Sequence, residues 1–147
     1  MEPTKYTVRF YNEETDQSGV QKLLVENGYT TISPDEYRGV ASVAVEENTN
    51  KIIGFTWVLV GVATVVYWDY LVTSKSVLNR LDIAIDICVV LLGLLQKAKI
   101  KRILVNTQHQ KVLSVLELLG FEKLENTVAL TCDFTKLSSK LTDYFVN

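Results

Sequence analysis

The stretch from Ile52 to Trp68 carries no charged residue. A chain must place such a stretch either across a bilayer or in the middle of a protein core. Its length is nearly enough to span, and it is flanked by Lys51 and, further on, by Lys75. Its composition points the other way. Val, Ile, Thr, Trp and Tyr dominate, Gly54 and Gly61 interrupt it, and the turn-forming Glu47-Asn48-Thr49-Asn50 precedes it. These are the marks of a β-hairpin buried in a soluble domain. The second apolar run, Ile83 to Leu95, is too short to cross a membrane and contains Asp86, so no membrane association is expected.

A chain of 147 residues that is 48% hydrophobic buries a core without disulfides or metal, and this length predicts a single domain over residues 1–147. The formal net charge is −2 with the two signs interspersed. No cationic face is left to displace counterions from a nucleic acid, so nucleic-acid partners are not expected. The only cysteines, Cys88 and Cys132, each sit inside an apolar run and read as buried thiols in a reducing compartment. Met1 to Arg9 lacks the apolar core and small-residue cleavage site of a secretory signal. The expected location is cytoplasmic, and no metal or redox cofactor is implied.

Along the chain, Tyr6 to Tyr11 alternates as a strand does, and Asp16 to Asn27 carries Val20, Leu23 and Leu24 at helical spacing before Gly28. Ser33-Pro34-Asp35-Glu36 reads as the start of a short second helix. Val40 to Glu46, Ile52 to Val60 and Thr64 to Thr73 follow as an antiparallel meander. A long helix is predicted from Leu81 to Ala98, capped by Asn79 with Asp82 as a reciprocal cap. That helix is apolar nearly all round, which calls for a cover on its outer side, either another element or the second subunit of a homodimer. Arg102 to Asn106 reads as a strand, Gln110 to Leu119 as a helix, Glu122 to Phe134 as a strand pair broken near Glu125-Asn126, and Thr135 to Phe145 as a small helix. The fold class is α/β (α+β), with a mixed, mostly antiparallel central sheet and helices on both faces.

Two segments carry a resemblance. Tyr70-Leu71-Val72-Thr73-Ser74 leads into a helix, and Asn106-Thr107-Gln108-His109 is followed by Val112, Val115, Leu116, Leu119, Gly120 and Phe121. With the order β-α-α-β-β-β-α-β-α-β-β, the chain from Tyr6 to Phe134 resembles the GCN5-related N-acetyltransferase (GNAT) superfamily. The pair Val72-Thr73-Ser74 and Asn106-Thr107-Gln108-His109 is also similar to a group of small bacteriophage acetyltransferase-like proteins. That likeness would place the protein in a host cytoplasm or a virion.

The resemblance implies that the strand holding Tyr70, Leu71 and Val72 splays from the strand ending at Asn106, and that the pantetheine arm of acetyl-CoA or another acyl-CoA lies in the gap. It further implies that the diphosphate sits over Val77, Leu78, Asn79, Arg80, Leu81 and Asp82. The family has an Arg or Gln and two spaced small residues along that stretch; here Arg80 and Asp82 occupy the small positions. A side chain there hinders backbone approach, and the Asp82 carboxylate repels phosphate unless it turns to cap the helix. Lys75 and Arg80 would then meet phosphate with their side chains, or stay solvated.

The family's leaving-group Tyr corresponds to Leu116. His109, the only histidine, stands at a helix start as the acid or base candidate, or as a plain capping residue. For the acceptor amine the candidate bases are Glu46, Glu47 and Asp69. Asp69, between Trp68 and Tyr70, is either a desolvated base or a hydrogen-bonded rim carboxylate. The leading expectation is an acyl-CoA-dependent N-acyltransferase acting on a small-molecule or protein amine. The alternative is a catalytically degenerate GNAT-fold binding or virion-associated protein.

Overall fold

A computed structural model describes residues 2–29, 39–60, 65–99, 102–106, 114, 116–123 and 129–133. In chain order the elements are β1 (Tyr6–Phe10), α1 (Glu13–Glu26), β2 (Gly39–Glu46), β3 (Ile52–Val60), β4 (Val65–Thr73), α2 (Arg80–Lys97), β5 (Arg102–Asn106), β6 (Glu122–Lys123) and β7 (Ala129–Asp133). The strands form one seven-stranded sheet in the order β1-β2-β3-β4-β5-β7-β6. β1 to β4 are an antiparallel meander, β5 joins β4 in parallel, and β7 lies antiparallel between β5 and β6.

The charge-free run is therefore β3 and the first part of β4, paired as a hairpin at the centre of the sheet. No helix among the described residues is long and apolar enough to cross a membrane. Period-two alternation sends neighbouring side chains to opposite faces, and each face has its own core. On one face Val20, Leu23 and Leu24 of α1 pack with Val43, Val45, Phe55, Trp57 and Val72. On the other, Ile83, Ile87, Leu91, Leu92 and Leu95 of α2 pack with Ala44, Ile53, Val58 and Leu71. Each fully buried Leu, Ile or Phe contributes about 1.5–3 kcal/mol relative to exposure.

Leu116, Leu119 and Phe121 join the same cluster as α2. Gly54 sets how close α2 can come. A Cβ there would lie 2.8 Å from Ile83 Cγ2 and 3.2 Å from Ala44 Cβ. Two polar ties fix the helix in register: the Ser42 hydroxyl donates to the Ile87 carbonyl at 2.7 Å, and the Tyr6 hydroxyl donates to Asp86 at 2.6 Å. Burial, with the Asp86 carboxylate beside it, pushes the Tyr6 hydroxyl well above the usual tyrosine range.

Three expectations are corrected. First, α1 begins at Glu13, three residues before the predicted start at Asp16. The Asn12 side chain accepts from the Glu14 N–H at 3.0 Å, and Glu13, Glu14 and Asp16 form an acidic first turn. That polar turn is invisible to apolar periodicity. Second, Asn79 stands at the N-cap position of α2 but makes no side-chain cap bond. Its amide instead bridges Thr4, accepting from the Thr4 N–H at 3.2 Å and donating to the Thr4 carbonyl at 3.1 Å. Third, α2 starts at Arg80 and ends at Lys97, shifted by one residue at each end. The short helix expected around Pro34, the small helix after Thr135, and all but Ser114 and residues 116–119 of the helix expected from Gln110 to Leu119 lie outside the described residues. Of those, Ser114 and residues 116–118 are helical.

Candidate functional site

The ladder between β4 and β5 has four registered pairs, from Val65 with Arg102 to Trp68 with Val105, and then stops. β4 runs on to Thr73 with β3 still paired along its other edge, as far as Thr73 with Gly54. β5 stays with β7 to its own last residue, where Asn106 faces Ala129. Among the described residues the two strands therefore part after Trp68 and Val105, one residue before β5 ends. At the parting point β4 carries a bulge. Its register with β3 steps from Trp68 opposite Val58 to Tyr70 opposite Trp57, which leaves Asp69 as the extra residue. A bulge bends and over-twists the strand that holds it.

Beyond the parting, no described strand pairs with the edge of β4 that points away from β3, and the end of β4 is tied off by other contacts. The Thr73 carbonyl accepts from Asn27 Nδ2 at 3.2 Å and from Arg80 Nη2 at 3.3 Å, and the Ser74 N–H donates to the Ile53 carbonyl at 2.8 Å. A strand edge left open inside a sheet is a place for an extended guest to pair.

The connection into α2 is held from below. Glu26, at the end of α1, accepts the Lys75 N–H at 2.8 Å and the Ser74 hydroxyl at 3.4 Å through one carboxylate oxygen. Ser74 is fully buried, and its hydroxyl also shares a hydrogen bond of 2.9 Å with Ser76. Val77 plugs into the α2 core, whereas Leu78 and Leu81 are more than half exposed. Arg80 folds back over the end of β4, where its Nε donates to Thr73 Oγ1 at 2.9 Å. The first intrahelical bond of α2 runs from the Ile83 N–H to the Asn79 carbonyl at 3.1 Å. The N–H groups of Arg80, Leu81 and Asp82 precede it, at the positive end of the helix dipole and without a side-chain cap. Asp82 stands exposed in that same first turn.

An aromatic row lies beside the bulge. Tyr70 stacks on Trp57 with ring centroids 5.6 Å apart and meets Tyr29 edge-on at 5.3 Å. Tyr11 meets Phe55 edge-on at 6.0 Å in the same cluster. A hollow of about 270 Å³ adjoins this row, lined by Phe10, Tyr11, Gly39, Val40, Ala41, Trp57 and Leu94.

The residues singled out from the sequence divide accordingly. Tyr70, Leu71 and Val72 lie on the open stretch of β4, with Tyr70 and Val72 on the α1 face and Leu71 on the α2 face. Asp69 lies at the bulge, and Asn106 closes β5. Val77 to Asp82 form the approach to α2 and its first turn. Glu46 closes β2 and Glu47 opens the turn to β3, as the sequence places them. Glu46 accepts from the Thr49 hydroxyl at 2.7 Å, and the Glu47 N–H donates to the Lys5 carbonyl at 3.1 Å. His109 lies outside the described residues.

Sequence reasoning missed Glu26 and Asn27, which hold the β4–α2 connection from positions 49 and 46 residues away. No local pattern announces such a contact. It also missed the row formed by Tyr29, Trp57 and Tyr70, for which the aromatic density of β3 and β4 was a usable signal. Among the described residues no group of three or more His, Cys, Asp or Glu is placed to hold a metal ion. Cys88 is free and buried, and burial pushes its thiol far above the usual range, away from reactivity.

No profile of a known protein family matches the chain, and no curated protein does. Solved structures do match. An aminoglycoside 6'-acetyltransferase type Ii superposes with a TM-score of 0.72 at 13% identity, over 86% of this chain and 96% of its own. The PaiA N-acetyltransferase of Thermoplasma acidophilum, solved in complex with coenzyme A, gives 0.68 at 13% identity over 88% and 99%. The ribosomal-protein-S18-alanine N-acetyltransferase of Escherichia coli gives 0.67 at 12% identity over 86% and 91%. At such identities the likeness establishes the fold, and that fold is the one of the GCN5-related N-acetyltransferases.

Proposed function

We propose that this chain is an acyl-CoA-dependent N-acyltransferase, with acetyl-CoA as the representative donor, and that the pantetheine arm pairs with β4 where β5 has left it. The observation that carries this reading is the end of the β4–β5 ladder at Trp68 and Val105 while β4 continues to Thr73. The edge of β4 beyond the end of that ladder suits the amides of a pantetheine arm. The uncapped first turn of α2, at Arg80, Leu81 and Asp82, lies one short connection further on and suits the diphosphate.

In this reading Arg80 does with its side chain what small residues do for a relative by closeness of backbone. Its Nε and Nη2 already rest on Thr73, which holds the planar guanidinium at the strand end with a donor edge left for phosphate. Lys75 is exposed nearby and supplies a second positive charge. Asp82, in the same first turn, is exposed to solvent.

The acyl group arrives activated as a thioester. The lone pair of a neutral acceptor amine attacks the thioester carbonyl carbon, a C–N bond forms, and the C–S bond breaks with its electron pair leaving on sulfur. The proton lost by the amine and the proton gained by the thiolate balance, so the products are an amide and free coenzyme A. Positioning and main-chain N–H groups at the bulge carry most of the rate in this scheme. Asp69, at the bulge, is the proposed acceptor of the amine proton, and His109 the proposed donor to the thiolate. The acceptor is a small-molecule or protein amine; the named relatives include one that acts on ribosomal protein S18 and one that acts on an aminoglycoside.

A melting-temperature titration with acetyl-CoA tests the reading. A ligand at a hundred times its dissociation constant stabilises by about 2.7 kcal/mol. A rise of several degrees is the expected result, and an unchanged melting temperature at millimolar acetyl-CoA would leave a fold that has kept its shape without its donor.

A further inference from the structure

β1 ends before β2 does. Their last registered pair is Phe10 with Ser42, followed only by the Tyr11 N–H donating to the Ala41 carbonyl at 2.9 Å, so Gly39 and Val40 extend past the neighbouring strand. The hollow of about 270 Å³ occupies this step in the sheet. Its lining, Phe10, Tyr11, Gly39 to Ala41, Trp57 and Leu94, contains no charged side chain. Gly39 keeps it open towards Trp57, since a Cβ at this position would run into the Val58 carbonyl and lie 2.7 Å from Trp57 Nε1.

The hollow is in line with the bulge. Ala41 pairs with Trp57, and Trp57 pairs with Tyr70, the residue after Asp69. Two strand spacings separate β2 from β4, a distance of roughly 10 Å. The Trp57–Tyr70 stack and the Tyr29 edge contact make that path aromatic throughout.

Resting on the acyltransferase reading above, the geometry points to this hollow as the subsite for the body of the acceptor. It selects an amine whose nitrogen lies roughly 10 Å from the far edge of a terminal aryl group. An apolar cavity of about 150 Å³ admits benzene, so a hollow of about 270 Å³ takes one ring with a short methylene chain. A polycation finds no carboxylate in such a lining and leaves its hydration unreplaced. The row of rings leading to Asp69 then guides the amine end towards the thioester.

A chain-length series tests this. Benzylamine, 2-phenylethylamine and 4-phenylbutylamine are compared as acceptors with acetyl-CoA, with spermidine as the polycation control. Each methylene newly buried is worth about fourfold, so kcat/KM is expected to rise more than tenfold from benzylamine to 4-phenylbutylamine. Spermidine is expected to fall below both. Ala41→Leu, which fills the hollow, should erase the advantage of the longer amine while acetyl-CoA still raises the melting temperature. Should Ala41→Leu fail to fold, Leu94→Ala, which enlarges the hollow, should move the preference towards a naphthyl amine.

A flat or falling series, or a preference for spermidine, with the acetyl-CoA shift intact, overturns the subsite and leaves the acyltransferase reading standing. If acetyl-CoA itself does not bind, fluorescence of Trp57 in a Trp68→Phe background decides. Saturable quenching by 4-phenylbutylamine supports the hollow, and its absence overturns it.

Discussion

The two long helices begin in opposite ways. At the start of α1 side chains close the end: Asn12 caps the Glu14 N–H, the Asn12 N–H donates to Asp16 at 2.8 Å, and Arg9 grips both Asp16 oxygens at 2.6 and 2.7 Å. At the start of α2 the residue in the cap position has turned away to Thr4, and the nearest cation has folded onto Thr73. One end is closed by its own side chains and is structural. The other has no side-chain cap and follows the stretch of β4 that has no β5 partner among the described residues. A helix end without a side-chain cap is a place where an anion can be held by main-chain N–H groups.

The largest effect that would sharpen this contrast is expected from Arg80→Glu. It places a carboxylate where phosphate is proposed to sit, and the acetyl-CoA-induced rise in melting temperature should vanish, a loss of up to about 2.7 kcal/mol of ligand stabilisation. A full rise in the variant would remove Arg80 from the site.

Next in size is Arg9→Ala, at the closed end. Burial pushes the Asp16 carboxyl up, but the hydrogen bonds from Arg9 and the Asn12 N–H outweigh it and hold Asp16 below the usual carboxylate range. The side chain of Asp16 is only 3% exposed against 44% for Arg9, so loss of the arginine strands a buried charge and should cost about 2 kcal/mol at neutral pH. Because the folded-state pKa is depressed, the wild-type gain exists above the unfolded value and is lost as pH falls through the folded one. The gap between wild type and Arg9→Ala in urea denaturation should therefore narrow on acidification. A gap independent of pH would mean that packing, not charge, is what Arg9 supplies. The acetyl-CoA shift should be unaffected.

The smallest effects compare the two asparagines. Asn12→Ala removes a cap and should cost about 1 kcal/mol. Asn79→Ala removes only a tether to the first residues of the chain and should cost about 0.5 kcal/mol, half that or less being recovered by fraying of the segment around Thr4. Equal losses would show that Asn79 caps α2 in solution and that this helix end is not open.

Much of the sheet was legible in the sequence because its signals are local. The alternation in Val40 to Glu46 and Ile52 to Val60, and the turn at Glu47 to Asn50, mark β2, β3 and their hairpin within a residue or two. The start of α1 was not, since its first turn is polar and periodicity only begins to count at Val20. Asn79 read as a cap because its type and position fit; its partner at Thr4 is 75 residues distant and leaves no trace in the local pattern. The bulge at Asp69 is a property of pairing between two strands, so neither strand shows it alone. The approach to α2 was found by resemblance, yet the contacts that shape it, from Glu26 and Asn27, come from the far end of α1.

The account turns on a guest strand along β4 and an anion at α2. Amide hydrogen exchange with and without saturating acetyl-CoA measures both at once. Exchange should slow in peptides covering Asp69 to Val72 and Arg80 to Asp82 and stay unchanged at the already capped start of α1, Glu13 to Asp16. Binding that protects other segments and leaves those two exchanging at their free rate would contradict it.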